Sequence, residues 1–255
     1  MTGEDLFVLA APTEAQARVR GMPKLPSLTR PLMGIAISAA LLAGCGSSSS
    51  SGNGLESKSP DEIVAAAKAA SKGASTVHVS GSFITEGKPI SLNMELVAGK
   101  GAKGQIGVEG NSIDVIEVEH AFYINGSAAF YTHLAGSAAA KLLQGKWIKA
   151  PSTGGEFSSF SQLTDLGKLL ESTLSSHGKL AKAPSTTIGG QKAVGVTDST
   201  KGGTLYVAAT GTAYPLAISK SGGSGGKITF DRWNQPVTLT PPAKAININQ
   251  LQSGK

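Results

Sequence analysis

The chain has 255 residues, of which 40% are hydrophobic, 5% aromatic and 16% charged, with 33 glycines, one cysteine and a formal net charge of +6. A single cysteine excludes an intrachain disulfide framework, so any folded body must be held by packing alone. The lysines are scattered singly without interleaved aromatics, which argues against a nucleic-acid-binding surface and for a solvated one with modest attraction to anionic headgroups.

Residues 1–44 read as a secretory signal. Lys24 and Arg30 precede an unbroken apolar or small run from Leu32 to Gly44, the order of a basic and then an apolar region ahead of a cleavage point. Glu4, Asp5 and Glu14 sit where positive charge is expected, so Met22 is the better start and residues 1–21 read as a start placed too early. The apolar run is shorter than the ~18–20 residues a spanning helix needs. With Cys45 first after the cut, Leu41-Leu42-Ala43-Gly44-Cys45 looks like a bacterial lipobox. The Cys45 sulfur is the nucleophile that takes up a diacylglyceryl thioether. One acyl chain anchors only marginally, while two or three (palmitate among them) hold durably. A cleaved signal that happens to contain a cysteine, or an uncleaved helix, is the plainer alternative.

Removing residues 1–44 takes away four basic and three acidic residues, so Cys45–Lys255 keeps 19 basic against 14 acidic, a net +5. Residues 45–57 read as the lipidated cysteine and a flexible Gly/Ser tether with a reach of roughly 20 Å. Residues 58–255 read as one domain, long enough to bury a sizeable core.

Ser59-Pro60-Asp61-Glu62 combines a capping box with proline at the first helical position, and predicts a helix ending near Gly73. The period then changes to two. Val77, Val79, Gly81 and Phe83 share one face, as do Ile90, Leu92, Met94 and Leu96; Ile106 with Val108, Ile113 with Val115, and Phe122 with Ile124 repeat the pattern. This predicts five antiparallel strands. His133–Gln144 predicts a short helix weakened by Gly136, and 145–151 an extended segment. Phe160, Leu163, Leu166, Leu170 and Leu174 fall at helical spacing and predict an amphipathic helix on the sheet. Four strands follow, around Val194 and Val196, Leu205 and Val207, Leu216 and Ile218, and Ile228 and Phe230; a proline-interrupted tail runs through Ile246, Ile248 and Leu251. The order predicts an α+β fold, one long curved antiparallel sheet with helices on one face.

Three motifs mislead. Gly99–Gly104 fits a dinucleotide fingerprint, and Gly222–Gly226 a nucleophile elbow, but each runs into a predicted strand where a helix is required. Ser176–Lys179 fits S-x-x-K without its companion motif. The four histidines, His78, His120, His133 and His177, occupy four different elements, so neither a metal site nor a catalytic constellation is expected. Trp147 and Trp233 read as core or rim before membrane contact.

The lipobox, tether and capped helix are followed by Gly145-Lys146-Trp147-Ile148-Lys149, Gly189–Val196, Thr204-Leu205-Tyr206-Val207, Tyr214-Pro215-Leu216 and Phe230–Val237. In this order the chain resembles actinobacterial LolA-like lipoproteins, of which the mycobacterial LppX/LprG group is the best-described branch. The resemblance implies a half-barrel sheet with helices packed on its concave face around an apolar cavity for acylated lipids or glycolipids. It also implies work on the outer face of the cytoplasmic membrane, and no catalytic residues or cofactors. On that reading the protein is a non-enzymatic, monomeric lipid carrier anchored through Cys45, with an envelope transporter as candidate partner. Its lining would be Val77, Val79, Phe83, Leu92, Met94, Ile106, Val108, Val194, Val196, Leu205, Val207, Ile228 and Phe230; Leu163, Leu166, Leu170 and Leu174 would form its lid. An envelope interaction or sensory module with the same fold and no bound lipid is the rival reading.

Overall fold

The computed structural model describes residues 52–85, 87–152, 164–175, 177–222 and 225–248. The signal segment, Cys45, Phe160, Leu163, Ser176, Ser224 and Leu251 lie outside the described residues.

The ordered body begins earlier than the sequence suggests. Residues 52–57, expected in the flexible tether, are docked on it: Gly52 bridges Thr210, and Asn53 Nδ2 donates to the carbonyls of Ala208 (2.8 Å) and Gly211 (3.1 Å). Leu55, in a single 3-10 turn over Leu55–Ser57, is buried against Val194 and Val207.

Helix α1 (Pro60–Lys72) starts as its capping box dictates. Glu62 N–H donates to the Ser59 hydroxyl at 3.3 Å, and the Glu62 carboxylate accepts from Ser59 N–H at 2.9 Å. These two bonds satisfy donors that a helix start leaves open. The Ser59 N–H, the Ser59 hydroxyl (2.8 Å) and the Lys58 ammonium, all donating to the exposed Glu62 carboxylate, hold it at a pKa of about 2.

Five strands follow as a meander: β1 (Thr76–Thr85), β2 (Lys88–Val97), β3 (Gly101–Val108), β4 (Asn111–Val118) and β5 (Ala121–Gly126). Helix α2 (Ala128–Leu143) begins five residues before the predicted His133, because the Ser127 hydroxyl caps it by accepting from Phe130 N–H at 3.1 Å. Gly136 (φ 82°) breaks it into two helical segments. After β6 (Trp147–Pro151) and α3 (Leu166–Ser175) comes a second meander: β7 (Leu180–Ile188), β8 (Gln191–Asp198), β9 (Thr204–Ala208), β10 (Pro215–Lys220) and β11 (Gly226–Asp231). The last described strand is β12 (Ala245–Asn247), a short parallel addition to β6.

These strands form one twelve-stranded open sheet in the order β12-β6-β5-β4-β3-β2-β1-β11-β10-β9-β8-β7. The two meanders join where β11 pairs with β1, Phe230 opposite Val79. Antiparallel hairpins sort the loops to two ends. One end carries the 98–100, 119–120, 189–190, 209–214 and 232–235 loops and the entering Gly52; the other carries the turns after β1, β3, β8 and β10. The helices lie on the concave face. On the outer face the C-terminal segment brings Leu239 and Ala245 against Val118, Ala121, Tyr123 and Trp147.

Candidate functional site

Strand alternation places the predicted lining residues on one face, in the register the sequence pattern implied. Val79 lies opposite Met94, and Met94 opposite Gly104. Gly81 lies opposite Leu92, Leu92 opposite Ile106, and Ile106 opposite Ile113. A one-residue slip anywhere would have sent these side chains to the solvent face.

The face divides into two patches. In the first, Val77, Val79, Leu92, Met94, Ile106 and Phe230 are buried together with Leu96, Ala102, Val115, Phe122, Ile124 and two leucines of α3, Leu166 and Leu170. Phe83, Ile90, Val108, Ile218 and Ile228 continue this patch and are only half-buried. They fall toward the sheet end opposite Gly52, so the apolar strip is least covered there. In the second patch Val194, Val196 and Val207, with half-buried Leu205 beside them, are roofed by Leu55 and by Ile63, Val64 and Ala67 of α1. Alternation within β8 and β9 does not say that α1 rather than open space covers these residues. Ile63, Val64 and Ala67 do form an apolar stripe on that helix, and this was the signal available.

Helix α3 packs beside α1 and covers the first patch through one side only, with Leu166, Leu170 and Leu174 buried and Lys168 and Glu171 exposed. Leu163 of the predicted lid lies outside the described residues. Between α1, α3 and strands β7–β10, a crevice of about 110 Å³ is lined by Val64, Leu174, Leu180, Val196, Leu205 and Ile218, with Asp198 and His177 at its edge. Asp198 is structural: Oδ1 accepts from the N–H groups of Thr200 (2.8 Å) and Lys201 (2.9 Å), and Oδ2 from that of Gly178 (2.8 Å). These bonds hold its carboxyl below the usual range. A second, shallow groove of about 320 Å³ lies on the outer face of β1–β4, floored by Ser82, Ser91, Gly107 and Ser112. Pockets for small ligands span ~300–1,000 Å³ and are mostly apolar. The crevice falls below that volume, and the outer groove, at the lower limit of it, is shallow and open.

The four histidines sit on separate elements. His78 lies on the outer face, with Nδ1 2.6 Å from Asp231 Oδ1 and Nε2 2.8 Å from Asn93 Oδ1. The nearby Ser80 hydroxyl is paired with Thr229 at 2.9 Å. His120 is in the β4–β5 turn, His133 is in α2, and His177 follows α3. Among the described residues no group of three or more His, Cys, Asp or Glu is placed to hold a metal ion, and no helix is long and apolar enough to cross a membrane. The glycine motifs at 99–104 and 222–226 lead into β3 and β11, so neither opens a helix.

Trp233 is a rim residue of the first patch. It stacks on Tyr214 at 4.4 Å, donates from Nε1 to the Pro215 carbonyl at 3.2 Å and touches Phe230. Tyr131, in the first turn of α2, is fully buried, and its hydroxyl accepts from Gly126 N–H at 3.0 Å. The Ile124 and Lys146 carbonyls flank the same hydroxyl, and burial raises its pKa. Its tertiary role has no local sequence signature.

No protein-family model matches the chain, and no curated protein sequence matches it. Solved structures do. The structure of LprF from Mycobacterium bovis superposes with a TM-score of 0.51 at 14% identity, covering 72% of this chain and 97% of that one. The Mycobacterium tuberculosis lipoprotein LppX superposes at 0.49 with 18% identity, covering 71% of this chain and all of that one. The feature shared with LprF is the large, open, curved antiparallel sheet, the LolA-like fold expected from the sequence.

Proposed function

We propose that this chain is a lipoprotein of the cell envelope that, anchored through acylated Cys45 to the outer face of the cytoplasmic membrane, binds and carries acylated lipids or glycolipids on its concave face. The observation that carries the reading is the continuous apolar face of β1–β5 and β11, covered by the amphipathic helix α3, whose buried residues are Leu166, Leu170 and Leu174, with Phe130 of α2 packed against it as well. Moving an acyl chain from a bilayer onto such a face exchanges one apolar environment for another, so the net free energy is small and transfer is reversible.

The described helices already cover most of this face, so loading requires α3 to lift. Full burial of a leucine contributes ~2 kcal/mol, and a buried methylene ~0.8 kcal/mol. An acyl chain that slides beneath α3 gives the leucines a new apolar surface, and about seven or eight methylenes match what three exposed leucines would lose. No residue is assigned a catalytic role, and an envelope transporter is the proposed partner.

The rival, an interaction module with a closed core, draws on the same packing: Val77, Val79, Met94, Ile106 and Phe230 each already have protein neighbours. Lipid extraction and native mass spectrometry of protein taken from its own host separate the two. A co-purifying acylated lipid supports the carrier. Empty protein that also fails to bind added acylated lipids overturns it.

A further inference from the structure

Where the chain enters the body determines which surface meets the membrane. Gly52 is pinned to Thr210 and Asn53 to Ala208 and Gly211, so the tether leaves from the sheet end that carries the 98–100, 189–190 and 209–214 loops. Only seven residue-to-residue steps separate Cys45 from Gly52. Fully extended they span at most ~25 Å, and as a Gly/Ser coil their r.m.s. reach is roughly 15 Å. The ten-residue strand β1 connects the two ends of the sheet, a distance of about 30 Å at ~3.3 Å per residue. A tether this short holds the near end against the bilayer and leaves the far end a strand length away.

The near end suits a headgroup surface. Lys72, Lys100 and Lys192 are exposed there, and no ion pair forms at any of them among the described residues. Exposed lysines such as Lys179, Lys220 and Lys227 also occupy the far end, so charge alone does not choose between the two. The length of the tether does.

The least-covered part of the concave face lies at the opposite end. Phe83, Ile90, Val108 and Ile228 are half-buried toward it, and the crevice between α1 and α3 opens there beside the turn after β8. Resting on the carrier reading above, we propose that the anchored protein stands on its 98–100, 189–190 and 209–214 loops as its bilayer-facing surface, and that its acyl-chain entrance between α1 and α3 faces away from that membrane. An entrance so placed exchanges lipid with an acceptor outside the anchoring bilayer, and reaches its own bilayer only when the body tips over.

The test uses the acylated full chain in vesicles of phosphatidylcholine and phosphatidylglycerol. The Cys45 sulfur is blocked as a thioether, so a donor dye labels only an introduced thiol, K100C at the near end or K220C at the far end. Energy transfer to a headgroup-labelled acceptor lipid is expected to be several-fold more efficient from position 100 than from 220. Inserting about twelve Gly/Ser residues after Ser51 is expected to shrink that difference. Equal or reversed efficiencies in protein that stays with the vesicles overturn the orientation. Protein that does not stay with the vesicles overturns the anchor as well, and lipid extraction separately reports on the carrier reading.

Discussion

The lid role of α3 is exposed to a single substitution, Leu170→Ala. Leu170 is 4% exposed and packs into the first concave patch beside Leu166, which is 2% exposed. Removing its buried side chain costs the docked helix about 2 kcal/mol. If α3 opens and closes rapidly, that loss raises the undocked fraction about 30-fold, since each 1.36 kcal/mol is a factor of ten. Uptake of a fluorescent fatty acid, followed by stopped flow, should then quicken by a similar factor. Met94→Ala provides the contrast. Met94 is 2% exposed in the sheet itself, so its truncation should lower global stability by about 2–5 kcal/mol in urea without a comparable gain in uptake rate. Unchanged or slower uptake in Leu170→Ala, with stability reduced, would show that α3 is a fixed part of the core and refute the lid argument.

Three further outcomes follow from the packing. Tyr131→Phe leaves the buried Gly126 N–H without its acceptor and should cost about 1–3 kcal/mol in urea unfolding, with far-UV circular dichroism unchanged at room temperature. Gly104→Ala would place a Cβ 2.1 Å from the Asn93 carbonyl oxygen and 2.7 Å from the Met94 Cα, so a loss of about 3 kcal/mol or more is expected from backbone displacement. A melting temperature equal to wild type would count against the stated geometry. For Glu62, the folded-state pKa of about 2 lies below the ordinary 4.5. Its contribution is therefore complete above about pH 4.5 and is lost as pH falls through about 2. Glu62→Gln should flatten this part of the acid-stability curve, and an unchanged slope between these pH values would contradict the capping box as its source.

The sequence was informative where local chemistry and burial agree. Ser59 and Glu62 announce α1 because the cap needs only residues three apart, and the alternation of Val77, Val79 and Phe83 announces β1 because one face is buried and the other wet. It was silent where a partner far along the chain decides. Strand β7 shows no alternation, since it is an edge strand exposed on both sides, interrupted by Pro184 and by a register shift between Ala183 and Thr186; edges tolerate proline because one row of donors has no partner. The first turns of α2 hold Phe130, Tyr131 and Thr132, modest helix formers at best, and are fixed by the Ser127 cap and by Tyr131 buried against β5. Residues 52–57 looked like linker by composition. Asn53 and Leu55 dock only because β9 and its loop, some 155 residues later in sequence, present carbonyls and an apolar surface.

Two of the strand glycines bear on the curvature of the sheet. Gly81 and Gly104 occupy positions that alternation points at the concave face, where an apolar side chain would be expected. Both have φ in the region that side chains rarely adopt, 138° and 150°. A Cβ at Gly81 would stand 2.0 Å from the Lys227 carbonyl oxygen, as one at Gly104 would collide with Asn93. Bending a wide sheet crowds its inner face, and glycine at such points lets neighbouring strands close up without a clash. Each glycine also leaves the floor of that face without a side chain, between Val79 and Phe83 in β1 and beside Met94 in β3. Curvature and apolar floor thus come from the same residues. Gly81→Val or Gly104→Val would therefore not simply fill a hollow; it would straighten the strands that make the hollow, and with them the surface on which α3 rests.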